Sequence, residues 1–432
     1  MYKLLQLSTY GMKNIEREIT INFSNETIKN GITKINNVKG IFGYNGAGKS
    51  AIIMSVDLYK NIVCDPTFLV QKKTIEQLNK LLNYKRNEFY ISMSFEYIKN
   101  HVLKHYIKIT KNPVSSNYII SEERIMLSNG RTINEEYLSL ISKSNGILSF
   151  SDNNEIDYLS LNDLEFTSMI TLAAKKILSK NGNIDQFKNF LEIEKIILYL
   201  YASVFNIDVF LLQEDKHTVI SYEDKIIMEL ISKINNYNTT TENNITFFSN
   251  DSIIPISEYE AYEKETKKLE SFIQLFKPEL KKIELIKLID RDYYHIRKIF
   301  VYEDYKVELE FESSGIKQLV KLFTYLSKCA KGYTTFIDEI DTNINSVYFE
   351  KLISFFQQYG KGQLIFTTHN IESMNVLKNQ SRSIVVLGVD NNLDTWTPKG
   401  NRSPINSYYS GWFLHSPMNV EDFDFINIFL GE

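Results

Sequence analysis

Apolar and polar residues alternate with two different periods along this chain, and the first change of period lies near its N-terminus. Residues 37–42 form a short, mostly apolar run, which is typical of a buried strand. Residues 51–61 then place apolar side chains at helical spacing, which predicts a helix. A glycine-rich loop separates the two segments, so the pattern predicts a strand, a loop and a helix in succession.

Strand-like patterns dominate the rest of the first part of the chain. Residues 1–23 predict two strands joined at Gly11, and three more strand patterns cover 88–97, 101–110 and 116–127. Turn residues separate these segments, as hairpins require. We therefore expect a β lobe beside the strand, loop and helix.

The middle of the chain changes to helical periodicity, which dominates residues 159–233 apart from a strand-like piece at 209–220. Residues 235–244 are rich in Asn and Thr and predict a surface loop or a disordered segment. Residues 258–287 predict a long charged helix that Pro278 kinks or splits. That helix is either a solvated face of a bundle, or an arm or lid that touches a partner or nucleic acid.

Strand signal returns at residues 293–311, and short strands then alternate with helical patterns up to residue 389. This alternation is typical of a parallel sheet covered by helices. We therefore predict an α/β fold in three parts, which comprise residues 1–150, 151–290 and 291–432.

Length, charge and cysteine content restrict the class of protein. A chain of 432 residues can bury large cores, and its net charge of −4 means that any nucleic-acid surface must be a local patch. Cys64 and Cys329 indicate neither a disulfide framework nor a metal site, which favours a cytoplasmic location. The apolar run 196–212 carries Asn206 and Asp208, so it predicts a buried helix or strand and no membrane span.

The glycine-rich loop carries the first chemical motif, G-x-x-x-x-G-K-[ST]. Glycines let backbone N–H groups turn towards anionic oxygens, and the following helix adds the positive end of its dipole. Lys49 can reach the β and γ phosphates of a nucleotide, and Ser50 can bind Mg²⁺. A chance glycine loop is the alternative. The predicted nucleotide contacts are Gly43, Tyr44, Asn45, Gly46, Ala47, Gly48, Lys49, Ser50 and Ala51.

Two carboxylates end the β-rich run at residues 333–339. Asp338 at a strand end can hold Mg²⁺ and its water shell, and Glu339 can polarise an attacking water. An ordinary turn is the alternative. The phosphate loop favours the catalytic interpretation, because it requires such a pair of carboxylates.

Ser313, Ser314 and Gly315 lie between a strand pattern and a helix pattern, about 25 residues before the two carboxylates. The free N–H groups of a helix N-terminus bind anions, so this segment is a second candidate for phosphate contact. The alternative is an ordinary helix cap by Ser313 or Ser314.

Two residues near the carboxylates complete the set of candidates. His369 follows the apolar strand pattern 363–368 and can hydrogen-bond the γ phosphate or the attacking water, although a lone histidine is usually structural. Asp341 follows the acidic pair after one intervening residue and begins a segment that could form a loop at a subunit interface.

Together these motifs resemble those of the ABC-type ATPases in their SMC/RecF-like branch. The matching segments are Walker A (43–50), the signature (312–317), Walker B (336–339), the D-loop (341–343) and the switch histidine at 369.

The resemblance implies an α/β, ABC/SMC-like P-loop ATPase head with a mixed β lobe. Residues 1–150 and 291–432 would be the two halves of the head, and 151–290 a helical insertion between Walker A and the signature. It also implies a role for each candidate. These are catalysis by Lys49, Glu339 and His369, metal binding by Ser50 and Asp338, and ATP contacts from Ser313, Ser314, Gly315 and Asp341.

Three strings, 312–315, 337–341 and 364–370, and the closing segment 408–417 are similar to ATPases of prokaryotic anti-phage systems. These include abortive-infection ATPases and the ATPase subunits of the PARIS and Septu systems. The resemblance implies a homodimer or higher homo-oligomer around ATP and Mg²⁺. It also implies a sensor or regulatory role and a separate effector, a nuclease-like toxin.

Ile316, Ile344, Asn345 and Trp412 depart from the family pattern. One alternative function is a DNA-repair ATPase of the RecF type that binds duplex DNA. Another is an ATP-gated scaffold with little turnover, which the departures at Ile316 and Asn345 motivate. A GTPase is disfavoured, because we find no Asn-Lys-x-Asp motif for reading guanine.

Overall fold

The computed structural model describes residues 3–27, 31–83, 85–97, 101–113, 115–128, 133, 136–144, 147–151, 163–181, 190–211, 251–388, 390–398, 402–413 and 428–429. The predicted surface loop at 235–244 lies outside these residues, as does the strand-like pattern beyond residue 211.

The described strands are β1 (Leu4–Tyr10), β2 (Ile19–Asn22), β3 (Ser24–Thr27), β4 (Gly31–Ile35), β5 (Val38–Gly43), β6 (Glu88–Tyr97), β7 (His101–Lys111), β8 (Tyr118–Ser128), β9 (Tyr137–Ser144), β10 (Ile147–Phe150), β11 (Ile207–Phe210), β12 (Asp251–Pro255), β13 (Lys282–Asp290), β14 (Tyr293–Val301), β15 (Lys306–Glu308), β16 (Thr334–Ile337), β17 (Gln363–Thr367), β18 (Ile384–Leu387) and β19 (Leu393–Thr395).

The described helices are α1 (Lys49–Cys64), α2 (Lys72–Leu81), α3 (Met169–Asn181), α4 (Glu192–Phe205), α5 (Tyr259–Phe276), α6 (Ser314–Lys331), α7 (Ser346–Tyr359), α8 (Met374–Leu377) and α9 (Pro404–Tyr409). Among them, none is both long enough and apolar enough to cross a membrane.

The centre of the fold is a sheet with the strand order β11–β16–β17–β5–β18–β19. Its strands pair in parallel from β11 through β18, and only β19 at the edge runs antiparallel. The residues of β11, β16, β17 and β18 are all buried, which explains their nearly continuous apolar sequences. The prediction of an α/β fold with a parallel sheet is confirmed.

A second, antiparallel sheet has the strand order β10–β9–β8–β7–β6–β1–β2. Its long strands β6, β7 and β8 closely match the three predicted strand patterns. Apolar side chains of this sheet share one core with α1, α3 and α4. The helix that follows the phosphate loop is therefore packed between the parallel sheet and the β lobe.

The region between residues 151 and 290 contributes helices and, in addition, strands. In its described part, α3 and α4 pack into the first core, while β11 extends the parallel sheet beside β16. The predicted buried segment at 196–212 is thus a helix followed by a strand. Its Asp208 is buried between Lys60 and Lys328, whose amino groups lie 3.1 Å and 2.7 Å from the carboxylate.

The predicted charged helix over 258–287 is interrupted near Pro278, as expected, but the residues after Pro278 do not resume the helix. Helix α5 ends at Phe276, and Lys282–Asp290 forms β13, which pairs antiparallel with β14. Pro278 prevents continuation of the helix. The residues after it, such as Ile283 and Ile286, are β-branched and find partners across the hairpin, which outweighs the helical spacing of the charges.

Candidate functional site

The phosphate loop connects the central strand β5 to α1. Gly43, Gly46 and Gly48 have φ values of 134°, 77° and 111°, which L side chains rarely adopt. At Gly43 a Cβ atom would also lie 2.1 Å from the carbonyl oxygen of Leu387. The backbone conformation at these three positions therefore explains why the loop requires glycine there.

Lys49 is the first residue of α1, and its side chain is buried. Its amino group donates to the carbonyl oxygens of Gly43, at 2.9 Å, and Tyr44, at 2.8 Å. Burial lowers the pKa of Lys49, and the carboxylates of Asp338 and Glu339 oppose this effect. The cation thus lies inside the loop and close to both predicted carboxylates.

Ser50 and Asp338 are 288 residues apart in sequence and meet at the end of the parallel sheet. The hydroxyl of Ser50 donates to Oδ1 of Asp338 at 3.0 Å, and Asp338 itself is buried at the end of β16. A hydroxyl and a carboxylate oxygen are ligands that suit Mg²⁺. The structure therefore brings the two predicted metal ligands together.

Glu339 directly follows Asp338 and is half-buried. Its backbone has a left-handed conformation, with φ at 48°. Its N–H donates to the hydroxyl of Thr367 at 2.8 Å, and its carboxylate lies 3.5 Å from the hydroxyl of Thr342. A non-glycine residue with positive φ is uncommon and is often found at functional sites.

The signature segment begins α6, and Ser313 is its N-cap residue. The hydroxyl of Ser313 accepts the N–H of Ile316 at 3.3 Å, so the helix-cap alternative describes part of what this serine does. Ser314 is exposed, and a Cβ atom on Gly315 would lie 3.5 Å from Asn343 of the D-loop. None of the hydrogen bonds described for Ser313 and its two neighbours reaches the phosphate loop.

Asp341 and His369 both follow the carboxylates in sequence, Asp341 two residues after Glu339 and His369 after the next strand, β17. Asp341 is half-buried, and its carbonyl oxygen accepts the N–H of Ile344 at 3.0 Å. His369 follows β17 by two residues and is exposed. Both residues are therefore at the end of the sheet where the phosphate loop lies.

The departures from the family pattern have structural explanations. Ile316 and Ile344 are buried in the second core, and Asn345 caps α7 by accepting the N–H of Val347 at 3.0 Å. Trp412 is exposed, and the guanidinium of Arg402 lies 3.6 Å from the centre of its ring.

Residues that the motifs did not identify also contact the site. Asn14 donates to the carbonyl oxygen of Gly46, and Asn391 contacts that of Ala47 at 3.5 Å. The hydroxyl of Thr367 contacts both Asp338 and Glu339. The two asparagines lie far from the loop in sequence and carry no motif. Thr367 is the polar last residue of an apolar strand and lies two residues before His369. That position in the sequence could have identified it as a candidate site residue.

Residues 210–375 match the family model described as "AAA domain, putative AbiEii toxin, Type IV TA system". The matched segment includes β16, the carboxylates, α6 and His369. No curated protein matches the chain.

Among solved structures, the chain is similar to the SmcHead bound to the C-winged helix domain of ScpA, with 13% identity and a TM-score of 0.42. That alignment covers 94% of this chain and 99% of the other. The chain is also similar to the recombination mediator protein RecF in the RecFOR pathway, bound to ATPrS or to ATP, with 12% identity and TM-scores of 0.40 and 0.39. Each of these alignments covers 92% of this chain and 98% of RecF.

Proposed function

We propose that this protein binds and hydrolyses ATP and that it dimerises around the nucleotide. The observation that carries the proposal is the meeting of the phosphate loop with the acidic strand end. Ser50 and Asp338 are in hydrogen-bond contact, and Glu339 follows directly. A glycine loop, a buried lysine and two carboxylates at the end of one parallel sheet are the groups that phosphoryl transfer requires.

In this proposal the loop N–H groups and Lys49 bind the phosphates of ATP. Ser50 and Asp338 would hold Mg²⁺, which neutralises negative charge on the phosphates when it is bound. Both donors are oxygen atoms of the kind that this ion prefers, and they are already oriented towards one another.

Glu339 is the proposed general base, which accepts a proton from the water that attacks the γ phosphate. His369 is the proposed hydrogen-bond donor to that phosphate or to the water. The support for both roles is position, because each residue follows a strand that ends beside the phosphate loop.

The second subunit would contribute Ser313, Ser314, Gly315 and Asp341. On their own chain the signature residues contact the D-loop and leave the start of α6 accessible. A helix N-terminus that faces outwards can meet a phosphate held by another copy, and two-fold symmetry then generates two equivalent sites. The expected assembly is a homodimer or a higher homo-oligomer.

For the biological role we propose a sensor or regulatory subunit of an anti-phage system that controls a separate, nuclease-like effector. The resemblance of residues 312–315, 337–341 and 364–370 to such ATPases supports this role, as does the description of the matching family as a toxin–antitoxin component.

A DNA-repair ATPase is the second candidate, and a local basic cluster favours it. Lys13, Lys80, Arg86 and Lys111 lie around the β1–β2 connection and α2, where Lys13 N–H donates to the carbonyl oxygen of Leu81. Lys85 beside them is paired with Glu16 at 2.6 Å. The same connection contacts the phosphate loop through Asn14. The low-turnover scaffold is less favoured, because Ile316 and Asn345 have core and capping roles.

Three measurements on the purified chain test the proposal. We expect phosphate release from ATP in the presence of Mg²⁺, and an ATP-dependent increase in mass by light scattering. Binding of duplex DNA that weakens steeply with salt would favour the repair function. ATP-dependent dimerisation without turnover would favour the scaffold, and absence of nucleotide binding would contradict the proposal.

A further inference from the structure

Thr367 is a fully buried residue at the end of β17, between β16 and β5. Its hydroxyl donates to Oδ1 of Asp338 at 2.7 Å and accepts the N–H of Glu339 at 2.8 Å. Its carbonyl oxygen accepts the N–H of Ile340 at 3.2 Å. One threonine thus contacts three successive residues at the end of the acidic strand.

The direction of each hydrogen bond follows from the groups involved. The N–H of Glu339 can only donate, so the hydroxyl oxygen of Thr367 accepts it. The hydroxyl proton is then free to point at Asp338, whose ionised carboxylate can only accept. Oδ1 of Asp338 also accepts the hydroxyl of Ser50, so the chain of hydrogen bonds runs from Glu339 to the phosphate loop.

This chain of hydrogen bonds explains how the unusual backbone at Glu339 is maintained. A left-handed conformation at a non-glycine residue persists only where the surroundings hold it. The Glu339 N–H is fixed by Thr367, and the next N–H is fixed by the carbonyl of the same residue. Removing the hydroxyl would leave the Glu339 N–H without this acceptor, next to the buried carboxylate of Asp338.

We propose that Thr367 is a positioning residue for ATP hydrolysis, which sets the orientation of both Asp338 and Glu339 through one hydroxyl. The inference rests on the proposed ATPase function and adds a residue that acts through the two carboxylates. Thr367 also stands two residues before His369, so the same strand end carries the third group expected at the γ phosphate.

The test uses Thr367→Val, which keeps the shape of the side chain and removes the hydroxyl. We expect kcat to fall about tenfold to a hundredfold, the range for leaving buried partners of a charge-assisted hydrogen bond unsatisfied. The KM for ATP should change less than about threefold, since the phosphate loop is intact. Thr367→Ser restores the hydroxyl and should recover most of the lost kcat.

A second readout is the affinity for a fluorescent ATP analogue, measured with and without Mg²⁺. Thr367→Val should reduce the gain in affinity that Mg²⁺ provides by about twofold to threefold, within the limit given for KM, because Asp338 loses one of its orienting partners. Affinity without Mg²⁺ should stay the same. Thr335→Val is the matched control, since Thr335 is equally buried on the neighbouring strand and pairs with Leu364 away from the carboxylates.

Each outcome decides between the inference and the function on which it rests. If Thr367→Val keeps the parent kcat and the parent response to Mg²⁺, the inference is wrong while the ATPase function stands. If the parent chain binds no nucleotide, the proposed function fails and the inference fails with it. If both valine variants are slow and Thr367→Ser recovers nothing, the effect is general loss of packing and the positioning role is contradicted.

Discussion

The two halves of the candidate site differ in how complete they are within one chain. The phosphate loop and the acidic strand end are joined by buried contacts, from Lys49 inside the loop to Ser50 on Asp338. The signature segment and the D-loop contact one another through Gly315 and Asn343, and they face away from the core. The first half can therefore be formed by a single chain, whereas the second half depends on another copy for its proposed ligand.

The difference has a physical basis in the supporting elements. Residues of the first half end three adjacent parallel strands, β16, β17 and β5, so the backbone ladder fixes their separation. The second half begins a helix whose free N–H groups have no such ladder. Substitutions in the first half should therefore change nucleotide binding or hydrolysis at the site formed within one chain. Substitutions in the second half should change only ATP-dependent assembly and the turnover that depends on it.

The largest effect is expected from Lys49→Ala. The substitution removes the cation that the loop offers to the β and γ phosphates, so nucleotide affinity should fall by about a hundredfold or more. Titration with a fluorescent ATP analogue measures it, and Lys72→Ala, an exposed lysine on α2, is the control. Normal affinity in Lys49→Ala would contradict the assignment of the phosphate loop.

Glu339→Gln should separate binding from chemistry within the first half. We expect ATP affinity close to that of the parent and hydrolysis slowed by about a hundredfold or more, the scale for loss of a general base. A closed, ATP-bound dimer should accumulate, which light scattering can detect. Hydrolysis at the parent rate would mean that another group activates the water.

Gly315→Glu tests the second half. It adds a negative charge where the γ phosphate of the other subunit is expected, and like charges about 4 Å apart repel by about 4 kcal/mol near a protein surface. We expect ATP binding to the monomer to be unchanged, and ATP-dependent dimerisation and turnover to be blocked. Loss of nucleotide binding in the monomer would contradict the division into two halves.

Mixing Lys49→Ala with Gly315→Glu subunits sharpens this test. In a mixed dimer one composite site has both the intact lysine and the intact glycine, and the other site lacks both. Some activity should therefore return on mixing. If each variant is folded and able to associate but no activity returns, the two halves do not act in trans or the two sites must work together.

The smallest effect is expected from a pair of helix caps. Ser313→Ala and Asn345→Ala each remove a side chain that accepts a helix N–H, so each should lower the free energy of unfolding by about 1 kcal/mol. Denaturant titration measures that loss. Only Ser313→Ala should also weaken ATP-dependent dimerisation, and equal dimerisation of the two variants would mean that Ser313 is a cap alone.

The local sequence was sufficient to predict the elements whose formation depends on neighbouring residues alone. The strand at 37–42, the loop and the following helix were predictable because glycine and apolar spacing act within a few residues. The parallel sheet was predictable from the alternation of strand and helix patterns after residue 311. The roles of the site residues stay predictions until the variants above are measured.

Prediction from the local spacing of residues failed where a segment pairs with another segment of the chain. The Glu and Lys spacing after residue 258 indicated a helix beyond Pro278, yet β13 pairs with β14 because its β-branched residues are better satisfied there. Compared with the motif alone, Ile316 and Asn345 are departures that favour a low-turnover scaffold. Their packing and capping contacts explain them, and those contacts depend on the folded environment.

The residue types of the candidate site are encoded locally, since a phosphate loop and an acidic strand end can each be recognised within a few positions. Which of these residues meet depends on the fold of the whole chain. Ser50 reaches Asp338 across 288 residues because β17 lies between β16 and β5, and Thr367 contacts both carboxylates for the same reason. Strand order is a property of long-range pairing and burial, which no local pattern of residues encodes.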